Sequence, residues 1–301
     1  MHLNFNTMKI NLYILICVSL FASCQKEIKI DQEKIKNKIV VNGIISTQLD
    51  TVWIGLTESR DLLYDKFYFP VAKNAKVELF EDGVPIGVLS FLNEQYFLAY
   101  KVIAGKTYKL EASYKDFTPI TAQTTVPYPG TVESFTVSKN ENQRIYAAIS
   151  LKDNVQEDNF YGIQMFRKEI SLDTFNQLGD SYQTYSCTNE FITTYPKPDV
   201  SVGNTCASEF LLKDTPFENS TYTFNLFADS YVYGIDNLQT EVIISLKSYN
   251  YDYYQYLISR YVYNNNFGNP FAEPVQVYNN IENGFGIFGA SFTASDTIII
   301  D

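Results

Sequence analysis

The first clear rhythm in the chain begins at Lys38 and has a period of two. Val52, Ile54 and Leu56 point one way while Thr51, Trp53 and Thr57 point the other. Ala75, Val77 and Leu79 alternate with Lys76 and Glu78, and Tyr108, Leu110, Ala112 and Tyr114 alternate with Lys109, Glu111, Ser113 and Lys115. Successive side chains of a strand face opposite ways, so this pattern predicts half-buried antiparallel strands. Glu81-Asp82-Gly83 carries the Asp-Gly pair that supplies positive φ to a hairpin, and Ala104-Gly105-Lys106 marks another turn. About seven short strands with regular turns predict an immunoglobulin-like β-sandwich over residues 38–129. Pro127-Tyr128-Pro129-Gly130 cannot continue a strand and marks its end.

A second β-rich domain is expected over residues 130–301. Tyr146–Leu151 reads as one strand, and Tyr161, Ile163 and Met165 mark the inner face of the next. Residues 171–221 are polar and read as a long insertion, a length that implies function or a covalent staple. Strands resume at Tyr222, Phe224 and Leu226, and again at Val242, Ile244 and Leu246. Between Ser248 and Tyr263 the rhythm changes: Tyr251, Tyr254, Ile258 and Tyr261 share one side of a helix. The tail returns to strand at Val275 and Val277, then Ile287, then Thr297–Ile300, with Gly284, Gly286 and Gly289 as bulges or corners. The predicted fold is therefore mainly β: two β-sandwich domains, the second with a long insertion and one helix near the C-terminus.

The N-terminus has a different character. Ile10–Ala22 is apolar except for Asn11 and Ser19, follows Lys9, and falls short of the roughly 20 residues that span a bilayer. A charged start, a short apolar core and small residues at Ala22-Ser23 mark an export signal. Cys24 directly after them makes Leu20-Phe21-Ala22-Ser23-Cys24 a lipoprotein processing site, with Phe21 where an aliphatic residue is usual. On this reading residues 1–23 are a signal peptide, Cys24 accepts lipid, and residues 24–37 form a tether; an ordinary secretory signal with a chance cysteine is the alternative. Gln25-Lys26-Glu27 resembles the surface-export signal of Bacteroidota lipoproteins, against a plain solvated tether. The expected location is the outer membrane, lipid-anchored and facing the cell exterior.

Composition narrows the chemistry. The formal net charge of −11 over 301 residues becomes −12 without Lys9, and an acidic surface repels phosphate backbones, which argues against nucleic acid as a partner. The only histidine, His2, precedes the processing site, so Ser-His-Asp and Cys-His catalysis and His-ligated zinc or haem are not expected, and no cofactor is implied. Cys187 and Cys206 remain once Cys17 and Cys24 are assigned. In an oxidising compartment they read as a disulfide, worth roughly 3 kcal/mol for a loop of that size; two free thiols or half a metal site is the alternative.

Other segments are weaker. Asp153–Asn159 offers oxygen ligands suited to calcium but lacks a glycine-centred calcium loop, and reads as a solvated connection. The tyrosines of 249–263 either line a ligand platform or fill a core, and helical spacing favours the core. Trp53, opposite the core face of its strand, is either covered by the second domain or exposed as a contact anchor for a ligand or partner. Gly284-Phe285-Gly286 opens no helix and resembles no phosphate cradle. Paired carboxylates for glycoside hydrolysis pair in space rather than in sequence, and no segment advertises them.

The tail carries a resemblance. Residues 269–290, Asn269-Pro270-Phe271-Ala272-Glu273-Pro274-Val275-Gln276-Val277-Tyr278-Asn279-Asn280-Ile281-Glu282-Asn283-Gly284-Phe285-Gly286-Ile287-Phe288-Gly289-Ala290, resemble the C-terminal signature of a Bacteroidota outer-membrane lipoprotein family known as a domain of unknown function. Cys24–Ile28, Ile39–Gly43, Ala104–Leu110 and Thr125-Val126-Pro127 match the same plan. The resemblance implies lipoproteins often encoded beside TonB-dependent transporters and brings no catalytic residues; the insertion holding Cys187 and Cys206 lies outside the family pattern. The leading expectation is a non-catalytic accessory or binding partner of such a transporter in uptake of a glycan or small nutrient. A stand-alone surface glycan-binding or adhesion lipoprotein is the second expectation, and a carboxylate-based polysaccharide hydrolase the third.

Overall fold

The computed structural model of the chain describes residues 37–60, 69–140, 144–152, 158–171, 176–177, 182–183, 186–188, 193–197, 205–215, 220–228, 238–269 and 271–300. The expected signal peptide and the expected tether as far as residue 36 lie outside the described residues.

The first sandwich follows the alternation. Strands β1 (Ile39–Ser46) and β2 (Val52–Glu58) pair antiparallel. β3 (Lys76–Glu81) and β4 (Val84–Val88) are joined through Asp82 and Gly83, whose φ angles of 48° and 81° are the positive pair the hairpin requires. β5 (Ser90–Leu92), β6 (Gln95–Leu98), β7 (Thr107–Ser113) and β8 (Ile120–Thr125) complete this half. One layer runs β1-β2-β6-β5 and the other β4-β3-β7-β8. Ile39, Val41, Ile54 and Leu56 from the first meet Val77, Leu79, Tyr108 and Leu110 from the second, all buried.

The second half begins with β9 (Thr131–Lys139), β10 (Ile145–Lys152) and β11 (Phe160–Ser171). The described residues of 171–221 form six short strands: β12 (Asn176–Gln177), β13 (Tyr182–Gln183), β14 (Ser186–Thr188), β15 (Thr193–Tyr195), β16 (Thr205–Ala207) and β17 (Phe210–Lys213). β18 (Thr221–Ala228), β19 (Leu238–Tyr249), helix α1 (Tyr251–Asn266) and β20 (Phe285–Ile300) follow. The sheet β16-β14-β18-β10-β9 covers the run β15-β17-β11-β19-β20 over a core that includes Ile149, Ile163, Met165, Phe210, Phe224 and Leu246.

The two sandwiches share their last strand. Residues 285–291 of β20 pair parallel with β1, Val40 opposite Phe285 through Ser46 opposite Ser291. Residues 291–300 pair antiparallel with β19. Phe288 and Ala290, with Ile281, sit in the first core. A division of the chain at residue 129 therefore gives the first sandwich's final strand to the second. Parallel neighbours cannot be joined by a tight hairpin, so this strand's partner lies far away in sequence. The expected strand at Val275 and Val277 is not formed: residues 271–281 are irregular, and beyond them Glu282 makes a single bridge to Thr121. Gly286 is neither bulge nor corner but a close approach: its φ is +107°, and a Cβ there would sit 1.9 Å from the Val41 carbonyl oxygen.

Candidate functional site

Helix α1 is held at its start by Asn250, whose Oδ1 accepts from the backbone N–H of Tyr253 at 3.3 Å and of Ala290 at 2.9 Å. The first contact caps the helix and the second fastens it to β20. The segment after the helix returns along it. Tyr278 N–H donates to Ser259 Oγ at 2.8 Å, and Tyr278 Oη donates to Asp252 at 2.6 Å. Asn280 then acts as a substitute strand neighbour for Phe288, accepting from its N–H at 3.0 Å and donating to its carbonyl at 2.8 Å. The signature residues 278–290 thus stitch helix, return segment and shared strand together.

The helix uses two faces. Tyr254 is buried with Phe160, Tyr249 and Leu211, and Ile258 packs beside them, as the spacing predicts for a core face. Tyr251 and Tyr261, expected on that face, are instead 54% and 38% exposed. The second face carries Leu257, Arg260, Tyr261 and Asn264, spaced i, i+3, i+4 and i+7, and forms one wall of a cleft of about 340 Å³. The opposite wall is Tyr195-Pro196 at the end of β15 and the passage Cys206–Glu209 from β16 into β17. Cys187 and Cys206 face each other across β14 and β16 and are joined as a disulfide, which braces this wall. The Tyr195 and Tyr261 rings stand 5.2 Å apart at 57°.

Charge in the cleft is uneven. Glu209 accepts from the Tyr249 hydroxyl, and Lys247 Nζ lies 3.9 Å away. Burial, then the Glu209 charge, pushes the Tyr249 phenol well above its usual range; burial and the same charge push Tyr253 up to about 12. Arg260 is exposed and pairs with no carboxylate among the described residues. Lys197 Nζ stands 5.8 Å from the Tyr195 ring centroid, adding a second cation beside the aromatic pair.

The other expected positions fare differently. Cys24, Gln25, Lys26 and Glu27 lie outside the described residues, as do 153–157 of the acidic loop; its last acid, Asp158, pairs with Lys213 at 2.9 Å. Trp53 is half-buried and stacked on its cross-strand neighbour Phe97, with centroids 5.2 Å apart, so one flank of the indole is already occupied. Trp53 takes no part in the cleft. Among the described residues no three His, Cys, Asp or Glu converge as metal ligands. Tyr195, Glu209 and Arg260 were not legible as a site: the stripe at 257, 260, 261 and 264 was open to a second reading of the helix, but its opposite wall comes from strands too short to show a period.

Fold and cleft together define a pair of fused β-sandwiches sharing one terminal strand, with an aromatic cleft built by a helix and a disulfide-braced insertion. The chain belongs to the family described as domain of unknown function DUF4249, whose model matches residues 25–297. No curated protein matches the sequence. Among solved structures, the FN1–FN3 domains of chicken CNTN1 are similar at 10% identity and a TM-score of 0.28; 86% of this chain and 65% of that chain are covered, so this chain spans less than two thirds of its length. The collagen adhesin (CNA) from S. aureus is similar at 8% identity and a TM-score of 0.21, covering 88% of this chain and 94% of that one. No ligand or role passes from those proteins to this chain.

Proposed function

We propose that the protein is a surface-exposed outer-membrane lipoprotein that serves as a non-catalytic accessory or binding partner of a TonB-dependent transporter in nutrient uptake. The observation that carries this reading is the junction at Cys24: the processing site Leu20–Cys24 is followed at once by the family match, which begins at residue 25. A lipidated Cys24 hangs the sandwiches from the membrane, and Lys26-Glu27 directs them to the outer face. One acyl chain holds only weakly, so the processed N-terminus carries more than one. Affinity purification of the full chain from native membranes in mild detergent is expected to recover a β-barrel transporter; a clean monomer overturns the partnership.

A second reading, a stand-alone surface glycan-binding or adhesion lipoprotein, is favoured by the aromatic cleft. Glycan binding that persists after Trp53→Ala locates the contact away from β2, while loss of binding places it there.

A further inference from the structure

The cleft beside α1 joins three features that the fold does not require. Tyr261 is part-exposed on a helix whose core contacts are already made by Tyr254 and Ile258, and its ring packs against that of Tyr195 at the cleft, centroids 5.2 Å apart. Arg260, one residue before it on the same wall, has no carboxylate partner among the described residues although the chain is strongly acidic. Glu209 is engaged by the Tyr249 hydroxyl and lies near Lys247, so its charge is answered from below rather than by Arg260. The result is an aromatic opening lined by one guanidinium, Arg260, and by Glu209, whose carboxylate is already engaged, with Lys197 Nζ close to the Tyr195 ring.

We propose that this cleft binds a saccharide ring carrying a carboxylate, a hexuronate unit, with Arg260 holding the carboxylate and the two tyrosines lying against the C–H face of the ring. A guanidinium forks onto a carboxylate through two parallel N–H donors, a geometry a lysine cannot copy. The negative face of an aromatic ring attracts the polarised C–H groups of a pyranose as it attracts a cation held over that face. Asn264 and Glu209 supply a mixed amide and an acceptor for ring hydroxyls. The volume of about 340 Å³ is at the small end of ligand pockets, roughly 300–1,000 Å³, and suits one or two rings. A neutral sugar leaves the guanidinium unused. The proposal deepens the uptake reading by naming a ligand class, and depends on it only for where the ligand is met.

The test is calorimetry on the detergent-solubilised full chain with three probes: a galacturonate disaccharide, the neutral galactose disaccharide, and a short acidic peptide. The uronate is expected to bind at least tenfold more tightly than the other two. Arg260→Gln loses at least tenfold in uronate affinity, Arg260→Lys recovers part of it, and Tyr261→Ala weakens binding to a similar degree. Asn264→Ala, a milder change on the same exposed wall, is expected to weaken the uronate severalfold with the far-ultraviolet spectrum unchanged. No uronate binding at millimolar concentration, equal binding of the neutral disaccharide, preferred binding of the peptide, or an unaltered affinity in Arg260→Gln each overturns it. Because the isolated chain is measured, failure here leaves transporter co-purification untouched, and a failed co-purification leaves this binding intact.

Discussion

Gly286→Ala tests the shared strand. The glycine sits at φ +107°, and an added Cβ would lie 1.9 Å from the Val41 carbonyl oxygen, where ordinary contacts begin at 3.4 Å. Relief requires β20 to move about 1.5 Å away from β1, a large fraction of the roughly 4.8 Å between neighbouring strands. Two or three ladder hydrogen bonds then fail, each worth about 1 kcal/mol net. The positive φ adds roughly 1–2 kcal/mol for any residue with a Cβ. The sum is a loss of roughly 3–5 kcal/mol, a large part of the 5–15 kcal/mol typical of a folded domain. Gly83→Ala is the matched control: its φ of +81° carries the same strain, but nothing lies within 4 Å of the added methyl, so about 1 kcal/mol is expected. Urea unfolding followed by tryptophan emission reads this directly, because the single tryptophan, Trp53, lies on β2, next to β1 in the first sandwich. If Gly286→Ala falls within 1 kcal/mol of Gly83→Ala, the close approach of β20 to β1 is wrong.

Three further outcomes follow from the same geometry. Replacing both Cys187 and Cys206 by Ala should lower stability by roughly 3 kcal/mol and speed proteolysis within 171–221, with little change in Trp53 emission; unchanged proteolysis would show that the bond does not brace the cleft wall. Asn250→Ala removes the helix cap and the contact with Ala290 N–H together, so a loss of about 2 kcal/mol in urea is expected, and a loss under 0.5 kcal/mol would contradict both roles. Tyr249, Tyr253 and Tyr278 hold their protons above the ordinary phenol range, with Tyr253 at about 12, mainly through burial. In the unfolded chain they ionise near pH 10, so from there to pH 12 the unfolded state binds fewer protons and stability falls as pH rises, with no effect below. Ultraviolet absorbance titration should show a late-ionising group of tyrosines; a single transition near pH 10 with the fold intact would contradict their burial.

The parts of the fold legible from sequence are those where neighbours in space are neighbours along the chain. Val52, Ile54 and Leu56 alternate because one face of β2 is buried, and Asp82-Gly83 announces its hairpin by local backbone demand. The helix was legible from Tyr254 and Ile258. The shared strand was not, for two physical reasons. Its partner β1 lies at the other end of the chain, and residues 287–291 are buried on both faces, which erases the period-two pattern. The stretch around Val275 has alternating apolar residues as a strand would, yet Tyr278 bonds side chains of α1 and Asn280 bonds the Phe288 backbone through its side chain, so no backbone ladder forms. The Cys187–Cys206 pair behind the cleft wall was legible because only two cysteines remain after Cys17 and Cys24 are set aside, and an even pair in the expected oxidising compartment reads as a disulfide. Tyr195, Glu209 and Arg260 meet only through tertiary folding, and Trp53, the aromatic residue that stood out in sequence, is stacked on Phe97 instead.

As proposed, the protein is lipid-anchored and works at the cell surface beside a transporter. Treating intact cells with a membrane-impermeant amine crosslinker, then mapping linked peptides by mass spectrometry, addresses this most directly. Exposed lysines such as Lys76 and Lys101 should react without breaking the envelope and join this chain to a TonB-dependent barrel, and Cys24→Ala should abolish those links. Lysines that react only after the envelope is broken would contradict the account.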